Sequence, residues 1–84
     1  MTAASTAARL TLGEVGAFLV ASRARVEAGE RQIDLADYVV VDSSALAALL
    51  ELNRLAAPQR LQFINPSDNL RKLAELYGVS DLLF

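Results

Sequence analysis

The sequence contains no cysteine and no histidine. The missing cysteines exclude disulfides, thiolate catalysis and zinc sites built on cysteine. The missing histidines remove the side chain that most often acts as a general base or binds a metal. A serine hydrolase is therefore a poor candidate, and the sequence also lacks the Gly-x-Ser-x-Gly turn that such enzymes use.

Neither sign of charge dominates the chain. Eight basic and ten acidic residues leave a net charge of −2, which predicts neither a nucleic-acid partner nor a polybasic membrane contact. No apolar run approaches the roughly 20 residues that span a bilayer, and the N-terminus lacks the pattern of a signal peptide. There is no glycine-rich phosphate loop either. We therefore expect a cytoplasmic protein that needs no cofactor and does not insert into the membrane.

The length and hydrophobic content predict one folded domain. Hydrophobic residues make up 54% of the 84 residues, enough for a real but modest core. The first eight residues are small, and we expect residues 1–8 to form a flexible N-terminus before a single domain at 9–84.

Strand-like and helix-like patterns alternate along that domain. Alternating residues predict strands at 9–12, 31–35 and 60–64, with a further extended segment at 39–41. Helical spacing predicts helices at 14–28 and 44–56, a third one capped by Asn65 and ended by Gly78, and a last turn at 80–84. This order predicts an α/β fold, with a mostly parallel or mixed sheet and helices packed against it.

Asp42, Ser43 and Ser44 lie at the start of the second helix. Aspartate and serine are preferred N-cap residues, so one of the three is expected to cap the helix. One cap needs one side chain, which leaves two for another use. A hydroxyl at a helix start can hydrogen-bond a partner, or it can accept a phosphoryl group whose charge the helix dipole tolerates.

The second helix carries an unusually wide apolar arc. At about 100° per residue its five leucines spread over roughly 220°. One explanation is a helix wedged between the sheet and a neighbouring helix. The other is that part of the arc docks a partner protein. The arc can also drive self-association, so the isolated domain could form a homodimer.

Three aspartates raise the question of a metal site. Asp34, Asp37 and Asp42 are carboxylates of the kind that hard cations prefer, but their spacing does not fit a known cation loop. We therefore expect no metal site.

Residues 33–47, which end in Asp42-Ser43-Ser44-Ala45-Leu46-Ala47, resemble the core signature of STAS domains, the fold of anti-sigma-factor antagonists. Residues 61–66 are similar to the next strand and turn of that family. Residues 73–79, together with Leu82 and Leu83, are similar to the end of its MlaB-like branch. The resemblance covers residues 9–84 and implies a small sheet with helices packed on one side. It also implies a missing edge strand, because only one strand precedes the first helix.

MlaB-like proteins are small cytoplasmic subunits of the phospholipid-transporting MlaFEDB ABC complex of the Gram-negative inner membrane. The resemblance implies a non-enzymatic accessory subunit that binds and supports an MlaF-like ABC ATPase subunit. Such a subunit would lie peripherally on the inner membrane through its partner and serve outer-membrane lipid asymmetry. The implied partner-binding residues are Asp42, Ser43, Ser44, Ala45, Leu46 and Ala47.

The same resemblance supports an alternative function. Ser43 matches the residue that is phosphorylated in sigma-regulating members, which implies an anti-sigma-factor antagonist switched by phosphorylation of Ser43. Ala45 departs from the usual glycine, and its methyl group is expected to lie where a partner approaches.

Overall fold

A computed structural model describes residues 8–84. In chain order the elements are β1 (Ala8–Leu10), α1 (Val15–Glu27), β2 (Gln32–Asp34), β3 (Tyr38–Val41), α2 (Ser43–Ala56), β4 (Gln62–Ile64), α3 (Asp68–Leu76) and α4 (Ser80–Leu83). This order confirms the predicted α/β fold class. The flexible segment predicted for residues 1–8 lies outside the described residues, except for Ala8, which begins β1.

The strands form two parallel pairs. β1 pairs with β3, and β2 pairs with β4. The second pair extends one residue beyond its strands, because the Leu35 N–H donates to the Ile64 carbonyl at 2.9 Å. The sequence left open whether the sheet is mostly parallel or mixed, and among the described residues both strand pairs are parallel.

Side chains alternate between the two faces of the β2–β4 pair and its flanking residues, as strand geometry requires. One face is buried and carries Ile33, Leu35, Leu61 and Phe63. The other face is exposed and carries Gln32, Asp34 and Gln62. Since only one face of this pair is covered, the helices pack on one side of it, as predicted.

The wide apolar arc of α2 is largely explained by packing within the protein. α2 contacts α1, α3 and α4. Leu46, Leu49 and Leu52 are buried in the core, whereas Leu50 is half-buried and Leu55 is 40% exposed. Three of the five leucines thus belong to the core, which favours the wedged helix for most of the arc.

The prediction that Asn65 caps α3 is wrong. Asn65 has a φ of +57°, and its side-chain amide donates to Asp34 Oδ1 at 3.3 Å. The cap is Ser67, whose hydroxyl accepts from the Leu70 N–H at 3.1 Å. The reason lies in the backbone: an N-cap residue is extended, as Ser67 is with φ −67° and ψ 161°, whereas Asn65 takes the left-handed conformation that asparagine tolerates. Gly78 ends α3 as predicted, with a φ of +72°.

Replacing the cap residue of α3 is expected to destabilise the protein. Ser67→Ala should cost about 1 kcal/mol, because the Leu70 N–H loses its acceptor. In a domain of this size that corresponds to a fall in Tm of about 4–8 °C, measured by thermal unfolding with circular dichroism. Ser43→Ala is the matched control and should leave Tm nearly unchanged, because its hydroxyl is exposed. Equal melting temperatures for Ser67→Ala and the wild type would contradict the assignment of the cap.

Candidate functional site

Asp42 is the residue that caps α2. Its backbone is extended, continuing from β3, with φ −136° and ψ −172°. Its Oδ1 accepts a hydrogen bond from the Ser44 N–H at 2.9 Å and a second one from the Ser44 hydroxyl. The cap therefore engages two of the three polar side chains at this junction.

The second carboxylate oxygen of Asp42 reaches a different part of the chain. Asp42 Oδ2 accepts from the Leu12 N–H at 3.2 Å, which ties the turn after β1 to the start of α2. The hydrogen bond from the Ser44 hydroxyl is the main reason why the pKa of Asp42 lies below its ordinary value. Hydrogen bonds from the backbone N–H groups of Ser44, Leu12 and Ala45 lower this pKa further, whereas partial desolvation of the carboxylate raises it. An ionised carboxylate at this position also suits the positive end of the helix dipole.

Ser43 is the third polar side chain at the start of α2. It is exposed, and within residues 8–84 its hydroxyl makes no hydrogen bond. We expected the cap to use one of the three polar side chains and to leave two for another use. That expectation is wrong, because the Ser44 hydroxyl is bound to the capping carboxylate of Asp42. Ala47, four residues later and also exposed, lies on the same face of α2.

Ala45 and Leu46 point into the protein. Ala45 is 0% exposed and Leu46 is 4% exposed, and both belong to the core. The expectation that a partner meets the Ala45 methyl is wrong, since that methyl packs inside this chain. Partner binding by the other predicted residues stays a prediction, and of those only Ser43 and Ala47 are exposed.

An apolar groove of about 270 Å³ lies beside Ser43. We name it the α2 groove; it is lined by Ser43, Leu46, Ala47, Leu50, Tyr77 and Val79. Tyr77 is 57% exposed and forms part of the groove wall. Tyr77 is the C-cap residue of α3.

Sequence reasoning missed three residues of the α2 groove. Leu50 was assigned only to the apolar arc, and Tyr77 and Val79 lie far from Ser43 along the chain. The one available signal was the Tyr77-Gly78 pair, because a glycine with positive φ turns the chain sharply after α3. That signal marks a turn but does not reveal which helix the turn approaches.

The carboxylates considered as metal ligands do not come together. Asp34 Oδ1 accepts from the Ala36 N–H at 2.9 Å and from Asn65, whereas Asp42 serves the cap of α2. Within residues 8–84 there is no group of three side chains that could hold a metal ion.

In the same part of the chain no helix is long and apolar enough to cross a membrane.

The hydrogen bonds of Asp42 predict a specific loss of stability in acid. A carboxyl group whose pKa is lowered by folding stabilises the protein above its ordinary pKa near 4, and this contribution is lost as the pH falls through the folded-state pKa. Asp42→Asn keeps a capping oxygen but lacks the charge. We expect the wild type to be more stable than Asp42→Asn at pH 7, and the difference to shrink as the pH falls below about 4.

Urea denaturation at each pH measures this difference. Asp37→Asn is the control, because the exposed Asp37 carboxylate makes no hydrogen bond within residues 8–84. A difference between wild type and Asp42→Asn that does not change with pH would contradict the role of the ionised carboxylate.

Comparison with known proteins gives one match. A family described as "Mlab, STAS domain" matches residues 5–84. No curated protein and no solved structure matches the chain significantly. The helices, the parallel strand pairs and the Asp-Ser-Ser start of α2 agree with this family, and the match covers nearly the whole sequence. The chain therefore belongs to the MlaB-type family of STAS domains.

Proposed function

We propose that this protein is a non-enzymatic accessory subunit that binds and supports the ATPase of a phospholipid-transporting ABC complex. The observation that carries the proposal is the α2 groove beside the exposed hydroxyl of Ser43. Membership of the MlaB-type family supports it, because STAS domains are generally non-catalytic and this branch bears the name of a transporter subunit.

The chemistry of the site favours binding over catalysis. The carboxylate nearest to Ser43 in sequence is Asp42, and its two oxygens already accept hydrogen bonds from Ser44 and Leu12. The sequence has no histidine that could deprotonate a serine. The Ser43 hydroxyl is therefore suited to exchange a hydrogen bond with a partner.

The shape of the site suits a protein surface. Ser43 and Ala47 are small and lie on one face of α2, so a partner backbone can approach this helix closely. Apolar side chains of the partner would fill the α2 groove, while Tyr77 at its wall offers an apolar ring and a hydroxyl. The groove is lined mainly by apolar side chains, which favours a protein partner over a soluble metabolite.

In this proposal the protein works on the cytoplasmic side of the inner membrane and is held there by its partner. The chain would add a docking surface and stability to the ATPase subunit, and the ATPase would supply nucleotide binding and hydrolysis. Outer-membrane lipid asymmetry would then depend on this protein indirectly.

Substitution of Ser43 tests the proposal. With the cognate ATPase co-expressed, Ser43→Arg should weaken binding at least tenfold, because a long cation would cover the α2 groove and face the positive end of the helix. ATPase activity should fall to that of the ATPase alone. Tyr77→Ala should weaken binding to a smaller extent, with little loss of stability because the ring is 57% exposed.

Ala21→Arg on α1 is the matched control, since Ala21 is exposed and does not line the α2 groove. It should bind the ATPase like the wild type. The proposal fails if the wild-type protein does not co-purify with the ATPase, or if folded Ser43→Arg binds and supports it normally.

One observation favours a second function, that of a phosphorylation-switched anti-sigma-factor antagonist. Ser43 offers an exposed hydroxyl, free of hydrogen bonds within the described residues, at a helix N-terminus. A phosphate there would be tolerated by the helix dipole but would place charge beside the α2 groove and the Asp42 carboxylate, which would disfavour an apolar partner.

Mass spectrometry of the intact protein from its host distinguishes the two functions. Phosphorylation predicts a mass increase of about 80 Da that phosphatase removes and that Ser43→Ala lacks. If no growth condition yields the heavier species, the switched antagonist is rejected.

A further inference from the structure

Strand β4 has an unpaired edge. Gln62 and Ile64 direct their backbone groups toward β2, since the Gln62 N–H donates to the Arg31 carbonyl at 2.8 Å and Ile64 accepts from Leu35. Phe63 lies between them, so its N–H and C=O point to the opposite edge. Among the described strands only β2 pairs with β4, which leaves the backbone N–H and C=O of Phe63 without a strand partner at that edge.

A groove of about 480 Å³ is lined by β4, by the turn after it and by the end of the chain. We name it the β4 groove. Its apolar lining includes Leu61, Phe63 and Leu83, which are each 5% exposed or less. An apolar groove beside an open strand edge has the two features that strand-binding sites combine, backbone hydrogen bonds and pockets for alternate side chains.

Two arginines line the β4 groove. Arg60 precedes β4, and Arg71 lies in α3, which starts shortly after the other end of β4. The Arg60 guanidinium donates to the Asp81 carbonyl at 2.7 Å. Within residues 8–84 neither arginine forms a salt bridge; the pairs found there join Arg25 to Glu30 and Arg54 to Glu51. The two charges are therefore available to acidic groups of a partner.

We propose that the β4 groove binds an extended segment of a partner protein, which adds a strand beside β4. The segment carries an acidic residue toward each end, placed to meet Arg60 and Arg71, and apolar residues between them. Five residues of strand span about 16 Å, comparable with the length of β4 and its flanking residues. A partner strand uses both backbone groups of Phe63, whereas a small anion could accept only from the N–H. This is why the geometry favours a peptide over a free phosphate or a lipid headgroup.

The proposed surface is separate from the α2 groove, since the two share no lining residue. The protein would therefore hold two segments, either from one partner or from two. The experiment below uses no ATPase, so its outcome is independent of the function proposed above.

An acetylated and amidated pentapeptide, Glu-Val-Thr-Val-Glu, is the probe. In nuclear magnetic resonance titrations it should shift the Phe63 amide signal saturably and slow hydrogen exchange of that amide at least fivefold. The same peptide with glutamine or lysine in place of glutamate should bind at least tenfold more weakly. The probe is expected to bind antiparallel to β4 with its central threonine opposite Phe63, so N-methylation of that threonine should abolish binding by removing the N–H that donates to the Phe63 carbonyl.

Arg71→Glu should weaken binding of the glutamate peptide at least tenfold. Lys72→Glu is the matched control, since it makes the same charge change on the next residue of α3 without touching the groove lining. Its Kd should equal that of the wild type. The proposal is overturned if the peptide leaves the Phe63 amide unchanged, if the lysine peptide binds as tightly, or if inorganic phosphate alone reproduces the Phe63 shift.

Discussion

The carboxylate of Asp42 is the contact on which the arrangement of the α2 groove depends. One oxygen closes the first turn of α2, and the other accepts from Leu12 in the turn that leads into α1. These bonds fix the start of α2 relative to α1, and they bind the Ser44 hydroxyl as well. Within residues 8–84 the Ser43 hydroxyl is left without a hydrogen bond, because Asp42 and Ser44 are bound to each other.

α2 also connects the two surfaces described above. Ser43 lies at the start of α2. Asn53 lies near its end, ten residues or about 15 Å further along the helix. The Asn53 side chain accepts from the Leu61 N–H at 3.0 Å and donates to the Leu82 carbonyl at 3.1 Å. These two bonds explain why the polar Asn53 lies among the leucines of α2. They hold the residue before β4 and the last helix, α4, against α2.

Local chemistry was enough to predict most elements of the fold. The bounds of α1 and α2 follow from apolar spacing, and a cap at Asp42-Ser43-Ser44 follows from residue type. Ser67 was missed because Asn65 and Ser67 are both good caps, and only the backbone around Pro66 decides between them. The α2 groove could not be predicted, since Tyr77 and Val79 reach Ser43 only through the packing of α3 against α2. The partner-facing role of Ala45 failed for a related reason, because residue type does not reveal which side of a helix faces the core.

The pairing of the strands has a consequence for how the chain folds. Ala8 pairs with Tyr38 and Gln32 pairs with Gln62, so each pair closes a loop of thirty residues, and the two loops overlap between Gln32 and Tyr38. Closing such loops costs chain entropy before the strands gain their hydrogen bonds, which slows folding relative to a helical bundle of the same length. Since each loop contains one of the long helices, collapse of α1 onto α2 shortens both at once. Packing of α1 against α2 is thus also the step that brings the paired strands close enough to form their hydrogen bonds.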